Sequence, residues 1–234
     1  MLEVKNASKI YGEGLARVVA LDNVSLEVEI GNFIAVMGPS GSGKSTLLNI
    51  IGGLDQLSSG EVILDGNRID GYDENALVEI RRGKIAYVFQ QYHLMSSLTA
   101  LENVLMPLIF AGDGKNEKDA LDILKRVGLE KRANHKPCQL SGGEQQRVAI
   151  ARTLVTSPSL ILADEPTGNM DQKTGNEILE LFKELNEEGR SIVMVTHSPD
   201  IAKHAKEIVN LQDGQIVDRT RHFHIEVPRQ ICRC

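Results

Sequence analysis

The eight residues Gly38-Pro39-Ser40-Gly41-Ser42-Gly43-Lys44-Ser45 leave this chain few choices of fold. They follow the apolar run Phe33–Met37 and lead into the helical stretch Thr46-Leu-Leu-Asn-Ile-Ile. A loop of the form GxxxxGK[ST] between a strand and a helix has a physical meaning. Gly41 and Gly43 let the backbone curl so that several N–H groups converge on one anion, and the helix N-terminus adds partial positive charge. Lys44 then offers a point charge to the β- and γ-phosphates of a nucleotide, and the Ser45 hydroxyl is placed to ligate Mg²⁺. A plain Gly/Ser-rich turn competes with this reading, but the strand–loop–helix setting favours a nucleotide site.

Three more short apolar runs share the rhythm of Phe33–Met37: Ile85–Phe89, Leu160–Ala163 and Ile192–Val195. Strands that are apolar without alternation are buried on both faces, as in a parallel sheet covered by helices. The first 30 residues differ. There Leu2 and Val4, then Val24, Leu26 and Val28, alternate with polar residues, which predicts half-buried antiparallel strands, and Ser59–Gly66 is another short strand. A mostly helical stretch, about 97–157, lies between the second and third apolar runs. In it Thr99-Ala-Leu-Glu102 has the form of a capping box, and Asp119–Val127 carries apolar residues at helical spacing. The expected fold is α/β: a mainly parallel sheet, an N-terminal antiparallel β subdomain and an inserted α-helical subdomain.

Polar residues follow the three other apolar runs. Leu160–Ala163 ends in Asp164-Glu165. Adjacent carboxylates beside a buried strand are costly unless a cation or a reacting water uses them. Asp164 is placed to hold Mg²⁺ through water, and Glu165 to orient and deprotonate the attacking water. A helix N-cap with a solvated neighbour would explain the same pair. Gln90 and His197 each follow a strand-like run, and each alone is weak, since a polar residue at a strand end is commonly just satisfied there. Their shared placement matters more, because ligands of open parallel sheets bind at the carboxyl ends of the strands.

Leu140-Ser141-Gly142-Gly143-Glu144-Gln145-Gln146-Arg147 opens a helical pattern running to about Thr156. A capping Ser before two glycines leaves the first N–H groups of a helix approachable, which makes a second anion site. It has no lysine of its own and lies far along the chain from Lys44. One economical solution is that it completes the site of another copy, two chains head to tail burying two ATP molecules. A glycine-softened helix start with no ligand remains the alternative at this point.

Composition narrows the class. A 234-residue chain with 41% hydrophobic and 25% charged residues reads as an ordinary globular protein of one large or two small domains. The net charge of −6 argues against a chain built to grip a phosphate backbone, so no nucleic-acid partner is expected. No segment nears the roughly 20 apolar residues needed to cross a bilayer, and the N-terminus lacks the layout of a secretory signal, which points to the cytoplasm. Cys138 stands alone and Cys232 and Cys234 sit near the C-terminus, which is no disulfide framework. His222 and His224 with those two cysteines are a weak metal candidate in a tail read as solvated.

Together Gly38–Thr46, Gln90, Leu140–Arg147, Leu160–Glu165, Asp171 in Gly-Asn-Met-Asp, and His197 resemble the ATP-binding cassette ATPases, over nearly the whole chain to about residue 219. Within that superfamily, Gln90-Gln91, Leu98–Val104, Asn134–Pro137 and Pro166–Asp171 resemble the lipoprotein-release and macrolide-export branch, near the cell-division ATPase FtsE and archaeal homologues. Met170 departs from the commoner small apolar residue there, a change of packing beside Asp171 rather than of chemistry.

The resemblance implies a P-loop ATPase domain over 1–219, with a helical subdomain at about 97–157 and a polar tail over 220–234. It implies that Tyr11 stacks on adenine, that Gly38–Thr46, Ser141, Gly142, Gly143 and Asp171 bind ATP, that Ser45, Gln90 and Asp164 hold Mg²⁺, and that Glu165, His197 and Gln90 are catalytic. Two copies would form an ATP-dependent homodimer and move a separate integral membrane permease from the cytoplasmic face of the cell membrane, for export or extraction. An FtsE-like regulatory ATPase that acts on a membrane partner without transport is the alternative. A DNA-maintenance ATPase would carry a coiled-coil or zinc insertion that this sequence lacks, and a binding module without turnover would not need Glu165 and His197.

Overall fold

The computed structural model describes residues 1–111 and 117–221. The chain opens with β1 (Leu2–Tyr11), β2 (Val18–Val28), β3 (Phe33–Met37), α1 (Lys44–Ile51), β4 (Ser59–Leu64) and β5 (Asn67–Arg68). It continues through α2 (Glu74–Gly83), β6 (Ile85–Val88), α3 (Ala100–Ala111), α4 (Glu117–Arg126) and α5 (Gly142–Leu154). It ends with β7 (Leu160–Asp164), α6 (Gln172–Glu187), β8 (Ser191–Thr196), α7 (Pro199–Ala202), β9 (Glu207–Gln212) and β10 (Gln215–Arg221). His222, His224, Cys232 and Cys234 lie outside the described residues.

Two sheets form. One has the order β2-β1-β4-β5 and is antiparallel; the other runs β10-β9-β3-β8-β7-β6, parallel except for β10. The parallel strands are apolar throughout because each serves two cores. In β3, Phe33 and Ala35 join the cluster beneath α5 and α6, while Ile34 and Val36 join the one shared with α1 and the antiparallel sheet. Ile161 and Ala163 against Leu160 and Leu162, and Met194 against Val195, repeat that division. Each fully buried Leu or Ile contributes on the order of 1.5–3 kcal/mol, so both faces must be covered.

The capping box at Thr99 and Glu102 forms in both directions, at 2.7 and 3.2 Å, and starts α3. The helices α3 to α5 lie between β6 and β7 in the chain, within the stretch read as helical. The hairpin β9–β10 has no counterpart in the sequence reading. Asp213 (φ 48°) and Gly214 (φ 78°) form its left-handed turn, a pairing that Asp-Gly favours between strands. β10 continues to Arg221, two residues past the boundary drawn at 219, because Thr220 and Arg221 pair with Ile208 and Glu207. The buried Glu207 carboxylate draws in the guanidinium groups of both Arg219 and Arg221.

Candidate active site

The register Met37↔Thr196, Asp164↔Val195 and Val88↔Ala163 sets the carboxyl ends of β3, β8, β7 and β6 side by side. The loops that follow them bring Gly38–Thr46, Gln90, Asp164, Glu165 and His197 to one edge. All but Gly38 and Ser42 line a single cleft of about 730 Å³, which Val18, Val19 and Ala20 close on one side.

Backbone packing dictates the glycines of the loop. A Cβ on Gly38 would stand 2.0 Å from the Leu211 carbonyl oxygen at the end of β9, and one on Gly43 (φ 100°) would stand 2.3 Å from that of Ala20. Gly43 is the left-handed residue directly before α1, so the N–H groups of that helix face the cleft. Lys44 is buried, and its Nζ donates to the carbonyls of Gly38 (2.9 Å) and Pro39 (2.7 Å). That folds the ammonium over the mouth of the loop.

Ser45 Oγ donates to Asp164 Oδ1 at 3.3 Å. Burial pushes the Asp164 carboxyl above its ordinary range, and the neighbouring Glu165 charge adds to this against the Ser45 hydrogen bond and the Lys44 charge. A half-buried carboxylate held uncomfortably in its charged form fits a divalent cation nearby. The donor set fits Mg²⁺ too: a hydroxyl, a carboxylate and the Gln90 amide oxygen are hard oxygen ligands, few in number, as Mg²⁺ takes when phosphates supply the rest. Among the described residues no group of three or more His, Cys, Asp or Glu could hold a metal by itself.

Glu165 leaves β7 in the left-handed region (φ 43°), which is strained for a residue with a side chain. Its N–H is tied to the Val195 carbonyl at 3.0 Å, so the strain is held by the sheet. The result is a carboxylate turned along the cleft, with His197 Nδ1 at 2.9 Å from Oε1 and Gln90 Nε2 at 3.5 Å from Oε2. Gly168, not singled out from the sequence, packs against this pair: a Cβ there would lie 3.2 Å from Glu165 Oε2 and 3.3 Å from Gln90 Nε2.

Tyr11, 40% exposed, does not itself line the cleft but meets the hydroxyl of Thr46, which does. Its hydroxyl donates to Asp55 Oδ2 at 2.5 Å, Lys9 Nζ bonds Asp55 Oδ1 at 2.5 Å, and the same ammonium sits 4.8 Å from the Tyr11 ring centre. Burial and the Asp55 carboxylate push the phenol up, with the Thr46 hydroxyl acting the other way. Neither Asp55 nor Lys9 carried a sequence signal: Asp55 meets Tyr11 only through the fold, and Lys9, two residues before Tyr11 in β1, is held by that same Asp55.

Ser141, Gly142, Gly143 and Asp171 do not line the cleft. Ser141 caps α5: its Oγ accepts from Glu144 N–H at 3.2 Å, and Glu144 Oε2 accepts from Ser141 N–H at 2.8 Å. That backbone hydrogen bond, with Arg132 and the Ser141 hydroxyl helping, holds the Glu144 carboxyl below its usual range despite partial burial. Glu144 was therefore legible as the far half of a capping box. Asp171 caps α6, accepting from Thr174 N–H (3.0 Å) and Oγ1–H (2.7 Å).

A phosphate-gripping loop, an adjacent carboxylate pair and a polar residue at each neighbouring strand end, set on a parallel sheet with an antiparallel sheet beside it, define a nucleotide-hydrolysing P-loop protein. Residues 21–168 match the family model for ABC transporters. The chain belongs to that family as an ATP-binding cassette with ATPase activity. It is 52% identical over 223 residues to an uncharacterised ABC transporter ATP-binding protein, MJ0796, of Methanocaldococcus jannaschii, covering 92% of this chain and 95% of that one. A solved structure of MJ0796 as a dimer in a post-hydrolysis state, bound to ADP and Pi, matches with a TM-score of 0.88 at 49% identity, over 94% of this chain and 98% of that one. The macrolide export ATP-binding/permease protein MacB of Chlorobaculum tepidum is 47% identical over 93% of this chain, which spans only 34% of MacB. No helix among the described residues is long and apolar enough to cross a membrane.

Proposed function

We propose that this chain is the ATP-hydrolysing subunit of an ABC transporter, two copies of which close head to tail around two MgATP and drive a separate integral membrane permease. The observation that carries the reading is the Glu165 carboxylate, held between His197 and Gln90 beside the Gly38–Thr46 loop. In this reading the loop wraps the triphosphate, Lys44 exchanging the carbonyls of Gly38 and Pro39 for phosphate oxygens. Tyr11 stacks on the adenine. Water attacks the γ-phosphorus in line as Glu165 takes its proton, and the bond to the ADP oxygen breaks. His197 donates to the γ-phosphate and keeps Glu165 aimed. Ser45, Asp164 and Gln90 would hold Mg²⁺, which when bound neutralises charge between the β- and γ-phosphates.

Ser141, Gly142 and Gly143 at the start of α5, with Asp171 at the start of α6, serve the nucleotide of the second copy. The dimeric structure of the MJ0796 relative supports this. Relatives named macrolide export ATP-binding/permease proteins support a permease partner and an export direction. A groove of about 410 Å³ lined by Tyr87, Phe89, Pro107 and Phe110, with Leu54 and Phe110 exposed, offers that permease a place to dock. The ATPase domain, expected over 1–219, takes in all of β10 to Arg221, with its helical subdomain at about 97–157. The protein works on the cytoplasmic face of the cell membrane, bound there through the permease, and has no nucleic-acid partner.

Steady-state ATPase with and without the permease in lipid tests the transport role, which fails if the permease leaves the rate unchanged. Binding of a fluorescent ATP analogue tests the loop. Lys44→Ala should lose tight binding while keeping its fold, because a principal charge on the phosphates goes and little core packing with it.

A further inference from the structure

One side chain joins the groove, the helix α5 and the segment that carries Gln90. Arg152 lies near the C-terminal end of α5 and lines the groove beside Phe89 and Phe110. Its guanidinium donates to the carbonyl oxygens of two consecutive residues, Tyr92 at 2.9 Å and His93 at 2.6 Å. His93 is left-handed (φ 46°), and its ring meets Phe89 edge-on at 4.9 Å, so the chain after Gln90 turns back on itself. The other end of α5 touches the same segment: a Cβ on Gly142 would stand 2.9 Å from the Tyr92 hydroxyl oxygen. Residues 90–93 are therefore held at two points along one helix. Gln90 itself reaches the opposite way, to Glu165 Oε2 at 3.5 Å, with Asn169 Nδ2 donating to its carbonyl at 3.4 Å.

We propose that Arg152 is a positioning residue for hydrolysis, which fixes the segment Gln90–His93 to α5 so that any shift of that helix or of the groove moves Gln90 relative to Glu165. The inference rests on the role given to Gln90 above. The chemistry favours arginine. A planar guanidinium spans two neighbouring carbonyls at once and so fixes an orientation, whereas an ammonium offers a point charge on a flexible stem. Both hydrogen bonds are charge-assisted and partly sheltered, which makes them stronger than neutral ones. They also satisfy two carbonyls in a turn that sheet pairing does not reach. The clamp thus ties the helix whose first turn is proposed to face the second copy's nucleotide to the residue beside the water-activating carboxylate.

Five proteins test it: wild type, Arg152→Lys, Arg152→Met, Gln90→Ala and the Arg152→Lys/Gln90→Ala double variant, with kcat and KM for MgATP measured on the full chain below the melting onset of all five. Arg152→Lys should lower kcat roughly 10-fold or more while KM stays within about twofold, since misplacing a group near the chemistry acts mainly on turnover. Arg152→Met, which keeps an apolar stem but no donors, should lose more. The double variant should be no slower than Gln90→Ala alone, because Arg152 acts through Gln90. Losses that multiply in the double variant would mean that Arg152 acts elsewhere, and would overturn the proposal while leaving the role of Gln90 standing. If Gln90→Ala turns over like wild type, the Gln90 assignment falls and this inference with it.

Discussion

Gly143 in the first turn of α5 and Thr174 in the first turn of α6 stand so close that one methyl group on Gly143 would lie 2.3 Å from Thr174 Cγ2. Thr174 is not free to swing aside, because its Oγ1–H and N–H both bind the Asp171 carboxylate. Those two hydrogen bonds, the side-chain one first, hold the Asp171 carboxyl below its usual range. The glycine thus brings together two helix starts that are both proposed to face the second copy. Gly143→Ala should lower stability by about 1 kcal/mol, the usual scale for a disturbed N-cap, and weaken ATP-dependent dimerisation. Thr174→Ser in the same chain should restore both, since it removes the clashing methyl and keeps the hydroxyl on Asp171. Thermal melting and gel filtration with ATP check this. A double variant as impaired as Gly143→Ala would place the defect in the glycine backbone instead.

Much of the site was legible in the sequence because its signals are local. The Gly38–Ser45 loop declares its neighbours by spacing, and four apolar runs, one followed by that loop and three by polar residues, predict one shared edge. What escaped depends on contacts between distant segments. Asp55 braces Tyr11 from 44 residues along the chain, and it holds Lys9, two residues before Tyr11 on the same strand, from 46. Gly38 must be glycine because of Leu211, on a strand that the reading passed over. That strand alternates, with Glu207, Val209 and Leu211 buried and Ile208 and Asn210 less so, and a charged residue at a buried position masked the pattern. Its partners Arg219 and Arg221, with the Asn32 amide donating to Oε2 at 3.3 Å, make that burial tolerable. Asp213-Gly214 was the local clue to the hairpin.

Asp164 gives a prediction in which function and stability oppose each other. Its carboxyl is pushed above the ordinary range, by burial first and by Glu165 next. A folded pKa above the unfolded one means that the folded chain disfavours the ionised form. The cost is present in full above the folded pKa and disappears as pH falls through it. Asp164→Asn should therefore melt higher than wild type at neutral pH without nucleotide, and the gap should close on acidification. Its ATPase should be lost. A gap that stays constant with pH would assign the effect to something other than this charge.

His197 is open to solvent on the cleft side, with its side chain 65% exposed, while the Glu165 side chain it contacts is 21% exposed. A group so placed lends little to packing, so His197→Ala should leave the melting temperature within the usual range for surface substitutions. Turnover should drop about 100-fold or more with KM for ATP little changed, as for a contact that matters mainly in the reacting geometry. Steady-state kinetics decide: a large rise in KM at constant kcat would show a binding residue.

Glu165→Gln separates the closing of the pair from hydrolysis. The amide keeps the shape and the hydrogen-bonding reach of the side chain beside His197 and Gln90 but cannot take a proton, so hydrolysis should slow by roughly 10²–10⁴-fold. It also removes a negative charge facing the γ-phosphate, which favours the ATP-loaded, closed state. In the proposed head-to-tail pair, with the bond to the γ-phosphate intact, both nucleotides should stay between Gly38–Thr46 of one copy and the Ser141–Gly143 turn of the other. The variant should therefore elute as a dimer with ATP and as a monomer with ADP. Adding Ser141→Arg should undo the dimer. The Ser141 hydroxyl caps Glu144 N–H, so the substitution both fills the approach to α5 and removes its cap, at a cost of about 1 kcal/mol to the helix. ATP binding to each monomer should survive, because Ser141 does not line the nucleotide cleft of its own chain. A double variant that still dimerises with ATP would place the contact between copies somewhere other than the start of α5, whatever the ATPase rate.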